Sequence, residues 1–399
     1  MYKLPKGTLD LVGSEYDRIQ EICQRAEQEF TRAGGIPLET PVFERTDVLL
    51  GKYGEEADTK LIYRLADDGG EPLALRYDLT VPFARHIKET GRAQMRRYSI
   101  GKVYRRDQPN IAAGRYREFI QADFDIYGEA QEGMLAEATL LNSIVRVLNG
   151  LGLRFTILVN DVRNLYYVLN TAVGAVENPR KICSIIDKLD KQTFASLTEE
   201  FLAAGLTAAQ IGTLEPLLAS TAPTLPETAT AYQALLDLAE VFGFRDNLRF
   251  TNSLARGLDY YTGFIWEFKL EGVASSVAAG GRYDGLLGAP TVGISLGISR
   301  LASVLPYTAT PEWRDAYYVT TVGTVPLVEK MRIVKQFQDT TACPVLYSLT
   351  LEDRKLKKVI TDCCLSYIRY VVIVGESELR EGKFLVKDLK EKTQVSLVA

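Results

Sequence analysis

Residues 104–128 read YRRDQPNIAAGRYREFIQADFDIYG, and the second half of this stretch alternates with the two-residue period of a strand. One face carries Arg115, Arg117, Phe119, Gln121, Asp123 and Asp125, and the other carries Tyr116, Glu118, Ile120, Ala122, Phe124 and Ile126. The second face is mostly apolar and suits a core. The first is graded, with guanidiniums at one end, an aromatic ring in the middle, and an amide and two carboxylates at the other end. Ten steps at strand rise span about 33 Å. Such a gradient suits a long ligand with phosphates at one end, a flat base near the middle and a cationic amine at the far end, as in ATP beside an amino acid. The plain alternative is an edge strand with a charged solvent face. Solvent faces, however, usually mix signs along their length rather than segregate them.

Working outward, MRRYSIGKVYRR before this stretch reads as a strand, so the two form an antiparallel hairpin around a loop from Arg106 to Gly114. Residues 14–30 read as an amphipathic helix with Ile19, Ile22, Cys23, Ala26 and Phe30 on one stripe and Ser14 with Asp17 as a capping pair. IYRLAD and LALRYDLT are short strand candidates, and residues 134–149 read as a helix covering the sheet. Residues 164–244 are rich in Leu and Ala, with capping boxes expected at Ser196/Glu199 and Thr207/Gln210. They read as a helical insertion. The sheet resumes after it, residues 306–314 read as a linker, and the remainder alternates strand and helix as a small α/β domain. The expected division is 1–163, 164–244, 245–305, the linker 306–314, and 315–399.

Composition narrows the chemistry. The 399 residues are 46% apolar and 25% charged, which allows two or three domains with a large core. No run of about 18 apolar residues suggests a membrane span. The opening MYKLPKGTLD lacks the apolar core of a signal peptide. Cys23, Cys183, Cys343, Cys363 and Cys364 form no CxxC pair and fit a reducing compartment. A cytoplasmic location is therefore expected, with a mitochondrial one left open. His86 is the single histidine, in a stretch that reads as helix, and is taken as a surface or capping residue. Multi-histidine metal sites are excluded, and reactions driven by positioning and charge stabilisation are favoured, phosphoryl or nucleotidyl transfer first. Net charge is −4, with 13 Lys/Arg against 11 Asp/Glu from Asp315 onward, a weak hint of a polyanion partner for the C-terminal part.

Five polar segments compete for one site: LRYDLT with Arg76, Asp78 and Thr80; the hairpin with Arg105 and Asp107; ARGLDYY with Arg256, Asp259, Tyr260 and Tyr261; AGGRYDG with Gly280, Gly281 and Arg282; and GISLGISR ending in Arg300. Arginine forks hold phosphate bidentately and stay charged in a closed site. There is no Walker lysine motif, and GISLG lacks the glycines and acidic partner of a dinucleotide fold. Taken singly, each segment is as readily a turn or a core-filling strand entry as a site.

Together, LRYDLTVPFAR (75–85), KVYRRDQPNIAAGRYREFIQADFDIYG (102–128), SLARGLDYYTG (253–263) and VAAGGRYDGL (277–286) resemble the histidyl-tRNA synthetases, of the eukaryotic cytosolic type. The likeness runs over nearly the whole chain. It implies an α+β fold: the antiparallel class II synthetase sheet flanked by helices, with a helical insertion and a C-terminal α/β anticodon-binding domain. It implies histidine–tRNA ligase activity, in which ATP and Mg²⁺ yield histidyl-adenylate and the histidyl group passes to tRNA(His), in a homodimer built partly by the segment around Pro41. By the same resemblance Arg105 meets the α-phosphate, Asp107 the adenine edge, Arg117 the phosphate end, and Phe119 and Arg300 the two faces of the base. Asp78, Thr80, Gln121, Asp125, Tyr260 and Tyr261 form the histidine pocket. Arg256 stabilises charge as the carboxylate attacks, and Asn110, Ala112 and Arg115 lie in the loop that meets the tRNA acceptor end. Ser299 departs from the family pattern, which has glutamate before the arginine corresponding to Arg300. The rival expectations are a catalytically impaired regulatory or binding paralogue, a class II synthetase for another amino acid, and a plain nucleotide-binding scaffold.

Overall fold

The computed structural model describes residues 2–50, 61–66, 69–111, 114–129, 132–174, 176, 178–256, 260–305, 313–348 and 355–398. The chain divides into two compact units, Met1–Leu305 and Pro306–Ala399.

The first unit opens with α1 (Ser14–Arg32), β1 (Ile36–Pro37), β2 (Phe43–Arg45), α2 (Thr46–Leu50), β3 (Leu73–Leu75) and α3 (Thr80–Thr90). The hairpin β4 (Met95–Tyr104) and β5 (Glu118–Tyr127) follows, then α4 (Leu135–Gly150) and β6 (Phe155–Asp161). The next helices are α5 (Val162–Tyr167), continued by a π segment Val168–Ala172, α6 (Pro179–Ile186), α7 (Phe194–Ala203), α8 (Ala208–Ala219) and α9 (Pro226–Phe242). The unit closes with β7 (Leu248–Phe250), β8 (Phe264–Leu270), β9 (Ser276–Arg282), α10 (Asp284–Leu287), β10 (Thr291–Leu296) and α11 (Ile298–Val304). Eight strands form one sheet in the order β1-β4-β5-β10-β9-β8-β6-β7, antiparallel except for the outer pairs β1/β4 and β6/β7.

The greasy face of β5 works as expected. Ala122, Phe124 and Ile126 join Ile19, Ile22, Ala26 and Phe30 of α1, Leu140, Leu141 and Ile144 of α4, and Leu235 and Ala239 of α9 in the main core. Cys23, on the expected stripe of α1, is only partly buried. The capping pair Ser14/Asp17 does not form: Gly13 holds the N-cap position, and its carbonyl accepts the Asp17 N–H. The strand is also shorter than its pattern. Pairing ends at Tyr104 opposite Glu118, because the Arg117 N–H turns aside to the Gly7 carbonyl and Asn110 and Arg115 close the loop with two mutual backbone bonds. IYRLAD contributes only an isolated bridge, Arg64 to Ala74.

Helices α5 to α8 enclose a second core that includes Leu165, Ile182, Leu197, Phe201 and Leu214. Thr207 and Gln210 form the expected capping box on α8. The box expected at Ser196/Glu199 is absent: Thr193, three residues earlier, caps α7 by accepting the Ser196 N–H. Buried asparagines tie these helices to the sheet. Asn164 Oδ1 accepts from the Thr224 and Leu225 N–H groups, and its Nδ2 donates to Asn252 Oδ1 at 2.6 Å. Asn160 Nδ2 donates to the carbonyls of Asn252 and Leu254, which fixes the strand exit just before Arg256.

The second unit comprises β11 (Arg314–Val322), α12 (Leu327–Thr340), β12 (Val345–Tyr347), α13 (Leu356–Leu365), β13 (Ile368–Gly375), α14 (Glu376–Arg380), β14 (Lys383–Asp388) and β15 (Thr393–Val398). Its sheet runs β12-β11-β13-β14-β15, parallel across the first three strands and antiparallel beyond. Val334 and Phe337 of α12 pack with Val372 and Val374, and Val359 and Cys363 of α13 pack with Val371 and Ile373. The continuous burial of β13 from Val371 to Val374 thus serves cores on both faces of the sheet. Among the described residues no helix is long and apolar enough to cross a membrane.

Candidate active site

The polar face of the central strands floors a partly open cavity. Seven of the expected residues line it: Asp78, Thr80, Arg105, Gln121, Asp125, Tyr260 and Tyr261. Asp123, Tyr283 and Ser295 line it as well. The strand register explains how they meet. β5 pairs Asp123 with Ser99 and Asp125 with Arg97 on β4, and it pairs the same two residues with Ser295 and Gly293 on β10. Glycines make the room: a Cβ at Gly293 would fall on the Asp125 carboxylate, and one at Gly281 would fall against the Tyr261 ring.

The acidic end is a buried network. Arg97 is wholly buried and pairs with Asp125 at 2.8 Å. Its guanidinium also donates to the Leu79 carbonyl at 2.9 Å and lies 4.6 Å from the Phe83 ring centre. The Tyr283 hydroxyl donates to Asp125, and burial together with that carboxylate pushes its pKa well above the ordinary phenol value. Asp78 Oδ1 accepts the Val81 N–H at the start of α3 (3.0 Å). Gln121 Nε2 donates to Ser295 Oγ at 2.8 Å, and the Ser295 hydroxyl in turn hydrogen-bonds Asp123. Desolvation pushes the Asp123 carboxyl up to about 7, against the opposing pull of Arg97. Among the described residues Gln121 Oε1 and Asp123 Oδ1 have no hydrogen-bond partner, so the pocket holds two acceptors suited to N–H donors of a ligand.

The basic end is a cluster of arginines. Burial and then Arg115, Arg256 and Arg105 depress the Arg300 pKa, which places these three guanidiniums within electrostatic reach of Arg300. Like charges held together in this way bind a polyanion well. Arg105 donates from Nε to the Tyr77 carbonyl (2.9 Å) and lies 5.2 Å from the Phe119 ring centre. Arg300 donates to the Ser276 carbonyl at 3.0 Å. Arg256 pairs with buried Glu267, which also accepts from Ser276 Oγ at 2.7 Å.

Other candidates fall elsewhere. Arg117 packs its stem on Gly7 and donates to the Asp107 carbonyl at 3.2 Å, so neither Arg117 nor Asp107 lines the cavity. Asn110 and Arg115 lie in the hairpin loop, while Ala112 and Asp259 fall outside the described residues. Arg76 is a structural residue. Buried, it donates to the carbonyls of Lys102 (2.9 Å) and Thr40 (2.8 Å), because a guanidinium without water needs such acceptors. Arg282 is likewise engaged by buried Glu137 (2.5 Å). His86 lies on α3 and does not line the cavity. Ser299 has a definite local role: its hydroxyl accepts the Ile120 N–H at 2.9 Å and fastens α11 to β5.

Sequence reasoning missed Arg97, Asp123 as a site residue, Tyr283 and Ser295. A signal for Arg97 was present: it shares the Met95-Arg97-Ser99 alternation of a strand facing β5, but the register that sets it against Asp125 is not local.

Comparison with known proteins fits this geometry. The family model for histidyl-tRNA synthetase matches residues 7–301. A probable cytoplasmic histidine–tRNA ligase of Encephalitozoon cuniculi is 38% identical, covering 96% of this chain and 93% of its own. The human mitochondrial histidine–tRNA ligase is 35% identical, covering 99% of this chain and 86% of its own. The crystal structure of histidyl-tRNA synthetase from Nostoc sp. PCC 7120 superposes with a TM-score of 0.81 at 25% identity, over 100% of this chain and 97% of that one.

Proposed function

Because the chain belongs to the histidyl-tRNA synthetase family, we propose that it is a histidine–tRNA ligase using ATP, histidine and tRNA(His). The observation that carries this reading is a cavity floored by acids and by two acceptors unpartnered among the described residues, lined also by Arg105, with Arg105, Arg115 and Arg256 each within electrostatic reach of Arg300 just beyond the lining. Histidine sets its ammonium and imidazole among Asp78, Thr80, Gln121, Asp125, Tyr260 and Tyr261. The triphosphate lies toward Arg105, Arg300 and Arg256, with Phe119 beneath the base. An oxygen of the histidine carboxylate attacks the α-phosphorus, the bond to the β-phosphate breaks, and pyrophosphate leaves. The guanidiniums meet the charge that develops. In the second step the terminal ribose hydroxyl of the tRNA attacks the acyl carbon and AMP leaves. With its one histidine away from the cavity, the protein works by placement and electrostatics.

Mg²⁺ enters as part of the nucleotide substrate. Among the described residues no group of three His, Cys, Asp or Glu could hold a metal. Glu267 is the carboxylate beside the arginine cluster that would face it. A homodimer is supported by exposed Ile36, Val42 and Phe43 at the β1 edge of the large sheet and the adjoining β2, and light scattering on the purified protein tests it. The cytoplasm is the proposed location, and fractionation tests it. Relatives are named for both compartments.

The purified chain is expected to support ATP–pyrophosphate exchange with histidine and with no other amino acid. Exchange with none, in a folded protein that still binds ATP, would instead favour the regulatory paralogue. Residues 306–399 are proposed to bind the anticodon region. Their removal is expected to leave exchange intact, since Met1–Leu305 has its own core, and to impair tRNA charging. Full-rate charging by the shortened protein would overturn that assignment.

A further inference from the structure

We propose that Asp123 is a specificity-determining residue of the amino-acid pocket, protonated in the free protein and deprotonated when the cationic amino acid binds, so that binding releases a proton to solvent. This rests on the histidine reading of the cavity and adds to it a residue and a linkage which that reading does not contain.

The geometry is that of a built acceptor. Asp123 is 3% exposed, lies within the sheet between Ser99 and Ser295, lines the cavity, and has Oδ1 without a partner among the described residues. The charges around it are unbalanced. From β5 comes Asp125 and from the turn before α3 comes Asp78, and both repel a second carboxylate. From β4 comes Arg97, whose ion pair at 2.8 Å is with Asp125. Arg76 faces it from farther off, committed to backbone carbonyls. Arg105 lines the same cavity, and Tyr283, across from Asp125, stays neutral. Among the described residues three carboxylates thus stand around one ion-paired guanidinium, Arg97, in a buried floor. Under those conditions one of them keeps its proton. Asp125 has the ion pair and Asp78 has the Val81 N–H, which leaves Asp123, and its raised pKa of about 7 agrees.

An ammonium or ring N–H donor brought into this floor supplies the missing positive charge and favours the carboxylate. Above about pH 7 the proton is already gone and binding is unhindered. Below it each ligand must displace a proton, so affinity falls by up to about tenfold per pH unit. Nothing in the ligand is made or broken.

Calorimetry on the full-length protein, in buffers of unlike ionisation enthalpy at pH 6 and pH 8, measures the protons released. The probe is the triazole analogue of histidine, whose ring stays neutral over this range, with histidine alongside. The expected result is release approaching about one proton per analogue at pH 6 and little at pH 8. Asp123→Asn should abolish both release and pH slope, and Asp123→Glu should restore them. Should Asp123→Asn fail to fold, Ser295→Ala removes a hydrogen bond that favours the carboxylate and should move the release to higher pH. Analogue binding without proton release at pH 6, or release unchanged in Asp123→Asn, overturns the coupling. Absence of any histidine binding would instead overturn the histidine reading itself.

Discussion

Arg256→Ala is expected to slow histidine-dependent ATP–pyrophosphate exchange by about a hundredfold or more while the fold survives. Losing one preorganised donor to developing charge typically costs that much. The residue is suited to the role because it is anchored without being consumed. Glu267 holds it by an ion pair, yet nearly half of its side chain remains exposed, and it lies within electrostatic reach of Arg300. Stability should change little, since buried Glu267 keeps Ser276 Oγ and, at 3.4 Å, Lys269. The loss should appear in kcat, with histidine and ATP affinities near the parent values, because the interaction matters most as the carboxylate attacks. A variant with exchange near the parent rate would remove Arg256 from the mechanism.

Arg97→Met is expected to have the largest effect on stability, about 3–5 kcal/mol, because it leaves the buried Asp125 carboxylate with the Tyr283 hydroxyl as its main support. Urea unfolding measures it, and histidine binding should fail with it. The double variant Arg97→Met with Asp125→Leu should recover part of the lost stability, since removing both charges also removes the uncompensated one. It should not recover histidine binding, and that contrast separates the structural work of the pair from its role in the pocket. A single variant within about 1 kcal/mol of the parent would show that Asp125 finds its stability elsewhere. Asp125 therefore differs from the free amine-binding carboxylate that its place on the strand suggests: the same group closes a buried ion pair and lines the cavity.

The candidate site was legible in part because strand alternation is a local property. Knowing only that residues 118–127 are extended puts Gln121, Asp123 and Asp125 on one face and Ala122, Phe124 and Ile126 on the other, and the structure has them so. The reach of the same pattern back to Arg115 failed for a reason outside the pattern. A distant segment, at Gly7, takes the Arg117 N–H, so only the Arg105 N–H to the Arg117 carbonyl carries the ladder past Glu118. Helix starts show the same division. Thr207 with Gln210 reads correctly because both partners of the box are within one turn. Thr193, not Ser196, holds the N-cap of α7, so that Phe194 opens the helix and its ring lies against that of Phe201.

The arginines mark the boundary most clearly. By itself the sequence determined that they are many, that they stand apart from the acids, and that their motifs are those of the histidyl-tRNA synthetase family. Only the tertiary structure decided which of them remain for a ligand. Arg76, Arg97 and Arg282 are taken by buried carbonyls and carboxylates, whereas Arg105, Arg115 and Arg256 gather within reach of Arg300. Residue type and local period travel with the chain. Register, burial and the choice of ion-pair partner do not, because they depend on strands that meet only when the sheet closes, and the proton on Asp123 depends on all three.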